Sequence, residues 1–203
     1  MDDRAFLAKR IKDIEASVAY FSPGNKQVAE RWIAASFIEN LRVSHAESEI
    51  ISPNDDPPDV VFRDARFEIK EILDPGRRRH DEYKAELARA KTLSDPKDLL
   101  QMCAPKDESL GEVYHRCEEA SLALHRKYPL AVRSSLDLLF YVNLLDVFKL
   151  IEIPYPDTTG IEASGWRSVS FVMGQRSGCF FAREDAPAFI RRALGGVSHL
   201  HPR

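Results

Sequence analysis

Leu136 to Leu145 reads "LDLLFYVNLL", a nearly unbroken apolar run in a chain whose other segments are mostly charged or amphipathic. A strand with one wet face alternates polar and apolar residues. A continuous run instead suits a strand buried on both faces, as parallel sheets covered by helices produce. The remaining segments must then supply helices for both sides of a sheet.

Those helices are legible from spacing. Residues 4 to 20 carry Phe6, Leu7, Ile11, Ile14 and Val18 at helical intervals, and "SPGN" at 22 to 25 ends that helix. A second helix starts near Asn25. Its residues Val28, Trp32, Ala35, Ile38 and Leu41 form one stripe expected to face the core, with Glu30 off the centre of that stripe. Residues 81 to 93 and 111 to 128 read as helices separated by a polar, irregular stretch to about Ser109, and "EDAPAFIRRAL" reads as a capped terminal helix. Weak alternation suggests a strand over 44 to 51, and stronger signals mark strands at 60 to 62 and 67 to 73. "WRSVSFVMGQRSGCFFA" reads as a hairpin turning at Gly174 to Gly178. With no repeat, low-complexity tract or linker, residues 1 to 203 are expected to form one domain, with a core at about 26 to 145 and an extension over 146 to 203.

Composition adds exclusions. No apolar run approaches the ~20 residues of a membrane helix, and the charged start lacks a secretion signal, so a cytoplasmic protein is expected. Cys103, Cys117 and Cys179 have no Cys-x-x-Cys spacing, which argues for reduced thiols. A net charge of -3 argues against coating nucleic acid by bulk charge but leaves room for a local basic patch.

The chemistry concentrates in "PPDVVFRDARFEIKEIL" at 57 to 73. Charged residues inside a buried strand cost free energy unless they are exposed, paired or metal-bound. A turn centred on Asp64 and Ala65 sets Asp59 opposite Lys70, ~5 Å apart between β-carbons and roughly 7 to 8 Å diagonally from Glu68. Glu68 and Lys70 share that face, while Phe67 and Ile69 point to the other. Two carboxylates suit a hard divalent cation, which polarises a phosphoryl oxygen and makes phosphodiester hydrolysis feasible near neutral pH.

Pro58-Asp59 and Glu68-Ile69-Lys70 resemble the motif of the PD-(D/E)xK nuclease superfamily, which includes type II restriction enzymes, Holliday-junction resolvases and repair nucleases. The resemblance implies an α/β (α+β) fold with a restriction-endonuclease-like core: a central mixed sheet flanked by helices, with the C-terminal hairpin and helix added. It assigns magnesium, or manganese in its place, to Asp59, Glu68 and the Ile69 carbonyl, and assigns the nucleophilic water to Lys70. Glu30, in "AERWIAASF", loosely matches a helix glutamate of the resolvase-like members and is a fourth catalytic candidate. The whole chain also resembles an uncharacterised bacterial family described only as "putative endonucleases". The implied partner is nucleic acid, DNA before RNA, and a homodimer would let two such sites cut two strands.

Acid-x-Lys occurs three times here, also at Glu82 to Lys84 and Asp95 to Lys97, so context selects the first. Arg77, Arg78, Arg79 and Lys84 follow it and are candidates for phosphate contacts. Glu71 has the wrong parity for the site and is expected to be structural. The terminal "HLHP" has no third metal ligand nearby and is expected to be a loose end. The competing reading is a non-catalytic binding module that keeps the nuclease fold.

Overall fold

A computed structural model describes residues 2–100 and 103–200. The strands are β1 (Ile50–Ile51), β2 (Val60–Phe62), β3 (Ala65–Leu73), β4 (Lys106–Ser109), β5 (Asp137–Asn143), β6 (Val147–Ile151), β7 (Ser168–Met173), β8 (Arg176–Ala182) and β9 (Val197–His199). The α-helices are α1 (Asp3–Tyr20), α2 (Lys26–Asn40), α3 (Arg79–Ala90), α4 (Leu110–Ala123) and the short α5 (Leu130–Arg133), α6 (Thr159–Glu162) and α7 (Ala188–Arg191).

The main sheet has seven strands in the order β1-β2-β3-β5-β7-β8-β9, and β4 pairs with β6 in a separate ribbon. At its centre β3, β5 and β7 run parallel, and antiparallel strands extend both sides. Helices cover both faces of this mixed α/β sheet. The apolar run at 136 to 145 becomes β5, the middle strand. Its Leu138 and Phe140 enter the cluster containing Leu110, Val113 and Cys117 of α4, while Leu139 enters the cluster containing Ile33, Phe37 and Ile38 of α2.

The aspartate within that run is also accounted for. Asp137, 1 % exposed, accepts hydrogen bonds from the Arg66 amide (2.9 Å), Arg167 Nε (3.0 Å) and Ser168 Oγ (2.7 Å). One buried carboxylate thus ties β3 and β7 to β5, and its bonds offset the desolvation of its charge.

Several elements depart from the sequence reading. On α2 the buried residues are Ala29, Glu30, Ile33, Ala34, Phe37, Ile38 and Asn40, while Val28 and Trp32 of the expected stripe are 41 % and 46 % exposed. Two faces of this helix are apolar, and the one carrying Ile33 and Phe37 meets the Phe67, Leu139 and Val172 surface of the sheet. That rotation carries Glu30 inward.

The strand expected over 44 to 51 shrinks to β1, and the "irregular" stretch before Ser109 contains β4. The hairpin turns at Gly174 and Gln175, not as far as Gly178, which lies inside β8. A β-carbon on Gly178 would fall 2.6 Å from the Gly196 carbonyl, so glycine serves close strand approach here. The β7–β8 hairpin continues the main sheet, so the 146 to 203 segment contributes Val169, Phe171, Val172 and Phe180 to both cores. The expected terminal helix is only α7, and β9 follows it. There His199 pairs with Glu152 at 3.0 Å instead of lying loose; His201 falls outside the described residues.

The three cysteines are free. Among the described residues no helix is long and apolar enough to cross a membrane.

Candidate active site

The β2–β3 register places the acids. Val60 pairs with Phe67, Val61 with Arg66 and Phe62 with Ala65, so the turn is Arg63–Asp64. One step beyond the Val60–Phe67 pair, position 59 comes opposite 68. The expected Asp59–Lys70 apposition is therefore corrected by two residues. Because the shift is even, it preserves parity and all three side chains still meet. Arg63 adopts φ +54 at the first turn position, a conformation that two-residue hairpins usually give to glycine or asparagine, which is why the turn was misplaced.

Asp59 and Glu68 are almost fully buried, with side chains 3 % and 1 % exposed. Asp59 Oδ2 accepts the Ile69 amide at 2.9 Å, and Oδ1 accepts Lys26 Nζ at 2.9 Å. Glu68 Oε1 accepts from both Lys70 Nζ and the Tyr128 hydroxyl. Lys70 Nζ also bonds the Ile69 carbonyl (3.0 Å) and lies 3.9 Å from Asp59 Oδ2. Its ammonium thus sits among the same three groups, the Asp59 and Glu68 carboxylates and the Ile69 carbonyl, that the sequence motif assigns to a cation. No arginine bonds either carboxylate among the described residues.

Lys26, in the first turn of α2, bridges Asp59 and Glu30, with its Nζ 3.0 Å from Glu30 Oε1. Burial, reinforced by the adjacent Asp59 charge, holds the Glu30 carboxyl up to about 7. Burial acts in the same direction on Asp59, but the Ile69 amide, Lys26 and Lys70 outweigh it and hold that acid below its ordinary range. Asp59 is therefore the ionised member of the pair. Desolvation alone would lower Lys26, yet its bonds to Asp59 and Glu30 raise it well above a free lysine. Burial and the Glu68 charge push the Tyr128 phenol upward, so it stays a donor.

Oxygen atoms of Asp56, Asp59 and Glu68 lie within 4.8 Å of one another. Glu68 Oε2 is buried and has no hydrogen-bond partner among the described residues. An unpaired, desolvated carboxylate oxygen is costly, and a cation would satisfy it. All donors are oxygens, the set a hard divalent ion prefers. The residues present fit magnesium or manganese.

Asp56, Lys26 and Tyr128 escaped the sequence reading. The acidic "NDDPPD" loop and the i, i+4 spacing of Lys26 and Glu30 were signals for the first two; Tyr128, in a turn after α4, had none. Glu71 is structural, pairing with Arg79 at 2.9 Å and accepting Asn143 Nδ2 at 3.0 Å. Of the basic candidates, Arg77 is held by Glu82 (2.8 Å), Asp74 (3.3 Å) and the Asn143 carbonyl (2.7 Å), and Arg79 by Glu71. Arg78 and Lys84 are exposed.

Fold and site together describe a mixed α/β protein in which buried acids meet two more exposed lysines where β2 meets β3. Residues 2–203 match the DUF1780 family, described as "Putative endonuclease, protein of unknown function", and the chain belongs to that family. A protein of unknown function from Pseudomonas aeruginosa strain PAO1, described as Monooxygenase Superfamily, has a similar structure, with a TM-score of 0.68 and 26% identity. The similarity covers 99% of this chain and 97% of that one. Among curated proteins none matches.

Proposed function

We propose that the protein is a metal-dependent endonuclease of the PD-(D/E)xK type, hydrolysing phosphodiester bonds in nucleic acid and more readily in DNA than RNA. The observation that carries this reading is the convergence of the Asp56, Asp59 and Glu68 carboxylates, together with a buried Glu68 oxygen that has no hydrogen-bond partner among the described residues. The family description points the same way.

Asp59, Glu68 and the Ile69 carbonyl would hold magnesium or manganese, with Asp56 as a further carboxylate. When bound, the ion supplies charge that polarises a phosphoryl oxygen and lowers the pKa of water. Lys70 contacts those same three groups, so its ammonium would compete with a cation for them. Beside the carboxylates it is placed to orient the attacking water and to offset phosphate charge. The Ile69 amide keeps Asp59 aimed, Tyr128 keeps Glu68 aimed, and Glu30 with Lys26 sets the charge beside Asp59. Arg78 and Lys84 are the basic side chains left to meet phosphates.

The test is incubation with supercoiled plasmid, single-stranded DNA and RNA in magnesium or manganese, beside Asp59→Ala and Lys70→Ala. Cleavage by the wild type alone is expected. Cleavage that persists in both variants overturns the assignment, and binding without cleavage of any substrate favours the non-catalytic module.

A further inference from the structure

A cavity of about 340 Å³ opens beside the carboxylates and shares Lys26, Glu30 and Ile69 with them. Tyr20, Phe21, Ala29 and Ile33 make much of its wall apolar and partly aromatic, and Ser22, Glu71, Arg79 and His80 add polar and charged groups. The aromatic wall is built in advance. Phe21 stacks on Tyr83 with centroids 5.3 Å apart and planes 5° from parallel, and the Arg79 guanidinium lies 3.8 Å from the Phe21 centroid. Arg79 is itself fixed by Glu71.

Two buried polar atoms belong to these lining residues. His80 Nδ1 and Arg79 Nη1 make no hydrogen bond among the described residues, although Arg79 Nη1 is ion-paired with Glu71 at 2.9 Å. A largely apolar recess with polar and charged groups at its edge suits a flat heteroaromatic ring that carries hydrogen-bonding groups on its rim. The volume is at the small end for ligand sites, enough for one ring system and far too small for a duplex.

We infer that this cavity receives one nucleobase, turned out of the strand whose phosphodiester lies at the carboxylates. The inference rests on the nuclease reading for the position of the phosphate; the cavity supplies the rest. In a nucleic acid the ring system nearest a phosphate is its own base, and the cavity adjoins the phosphate site through Lys26 and Glu30. Extrusion costs least where a base is unpaired, so the substrate class is single-stranded, mismatched or damaged DNA in preference to intact duplex.

The experiment compares binding of a labelled single-stranded oligodeoxynucleotide with that of an abasic strand of equal length, in calcium, by fluorescence anisotropy. The wild type is expected to favour the intact strand by about tenfold or more. Ala29→Phe, which fills the cavity, should bring that ratio close to one, and His80→Ala should reduce it; circular dichroism checks that each variant is folded. If Ala29→Phe does not fold, His80→Ala decides. Equal binding of the two strands by the wild type, binding of neither, or an unchanged ratio in a folded variant overturns the inference. Hydrolysis of bis(p-nitrophenyl) phosphate by the wild type in manganese tests the nuclease reading separately. Failure there with the base preference intact removes the chemistry and leaves the base site.

Discussion

Asp59 accepts the backbone amide of Ile69 at 2.9 Å, so the acid on one arm of the hairpin is aimed by the other arm. Asp59→Ala would leave a buried N–H unpaired and Lys26 with Glu30 alone, at a cost of about 1–3 kcal/mol. Asp59→Asn can keep the amide bond while losing the charge. The expected outcome is a clear fall in melting temperature for the alanine variant and a small one for asparagine. Both should lose more than about tenfold in manganese affinity by calorimetry.

Lys70 should have opposite effects on binding and on chemistry. Its ammonium contacts Glu68 and the Ile69 carbonyl, so Lys70→Met removes a competitor for those oxygens. Manganese affinity is expected to rise by about tenfold, in line with the ~1.5–3 kcal/mol of a charge-assisted hydrogen bond, while plasmid cleavage disappears. Weaker metal binding in this variant would show that Lys70 supports the ion instead of occupying its place.

The basic segment after β3 should divide in two. Arg77 and Arg79 are spent on internal carboxylates, so replacing either by alanine is expected to lower stability by about 1–3 kcal/mol in urea melts. Arg78→Ala and Lys84→Ala should leave stability within ~0.5 kcal/mol. If they contact phosphates, each should weaken nucleic-acid binding evenly across sequences and reduce the salt slope by about 1.

Acid stability should depend on Asp74. Burial pushes this carboxyl up, but Lys106 at 2.8 Å and the Leu145 amide at 2.8 Å outweigh it and hold it down to about 2, against 3.8 for a free aspartate. A depressed folded-state pKa contributes stability that is full above the unfolded value and is lost as pH falls through the folded one. Asp74→Asn should therefore melt below the wild type at neutral pH. The gap should close between roughly pH 4 and pH 2. A gap that stays constant across that range would remove Asp74 as the source.

How far the sequence was legible depended on how local each signal was. β3, β5, α1 and α4 followed from periodicity within single segments, and the acid-lysine motif stood out because it interrupted a strand. The face of α2 did not follow, because Val28 and Trp32 match a helical stripe as well as Ile33 and Phe37 do. Only the opposing Phe67 and Leu139 surface separates the two. β4, β6 and β9 were missed for a related reason: each is short and is a strand through its pairing partner more than through its own residues.

By itself the sequence determined that a strand buried on both faces lies within a helix-covered sheet, and that Asp59, Glu68 and Lys70 share one side of a hairpin, since parity survives an even shift of register. The tertiary structure decided which atoms meet. It turned Glu30 and Lys26 toward Asp59, brought Tyr128 onto Glu68, and spent Arg77 and Arg79 on internal acids. Periodicity fixes the direction of a side chain relative to its own backbone. Its partner depends on how separate elements are packed, and that is set by burial and charge pairing across the whole chain.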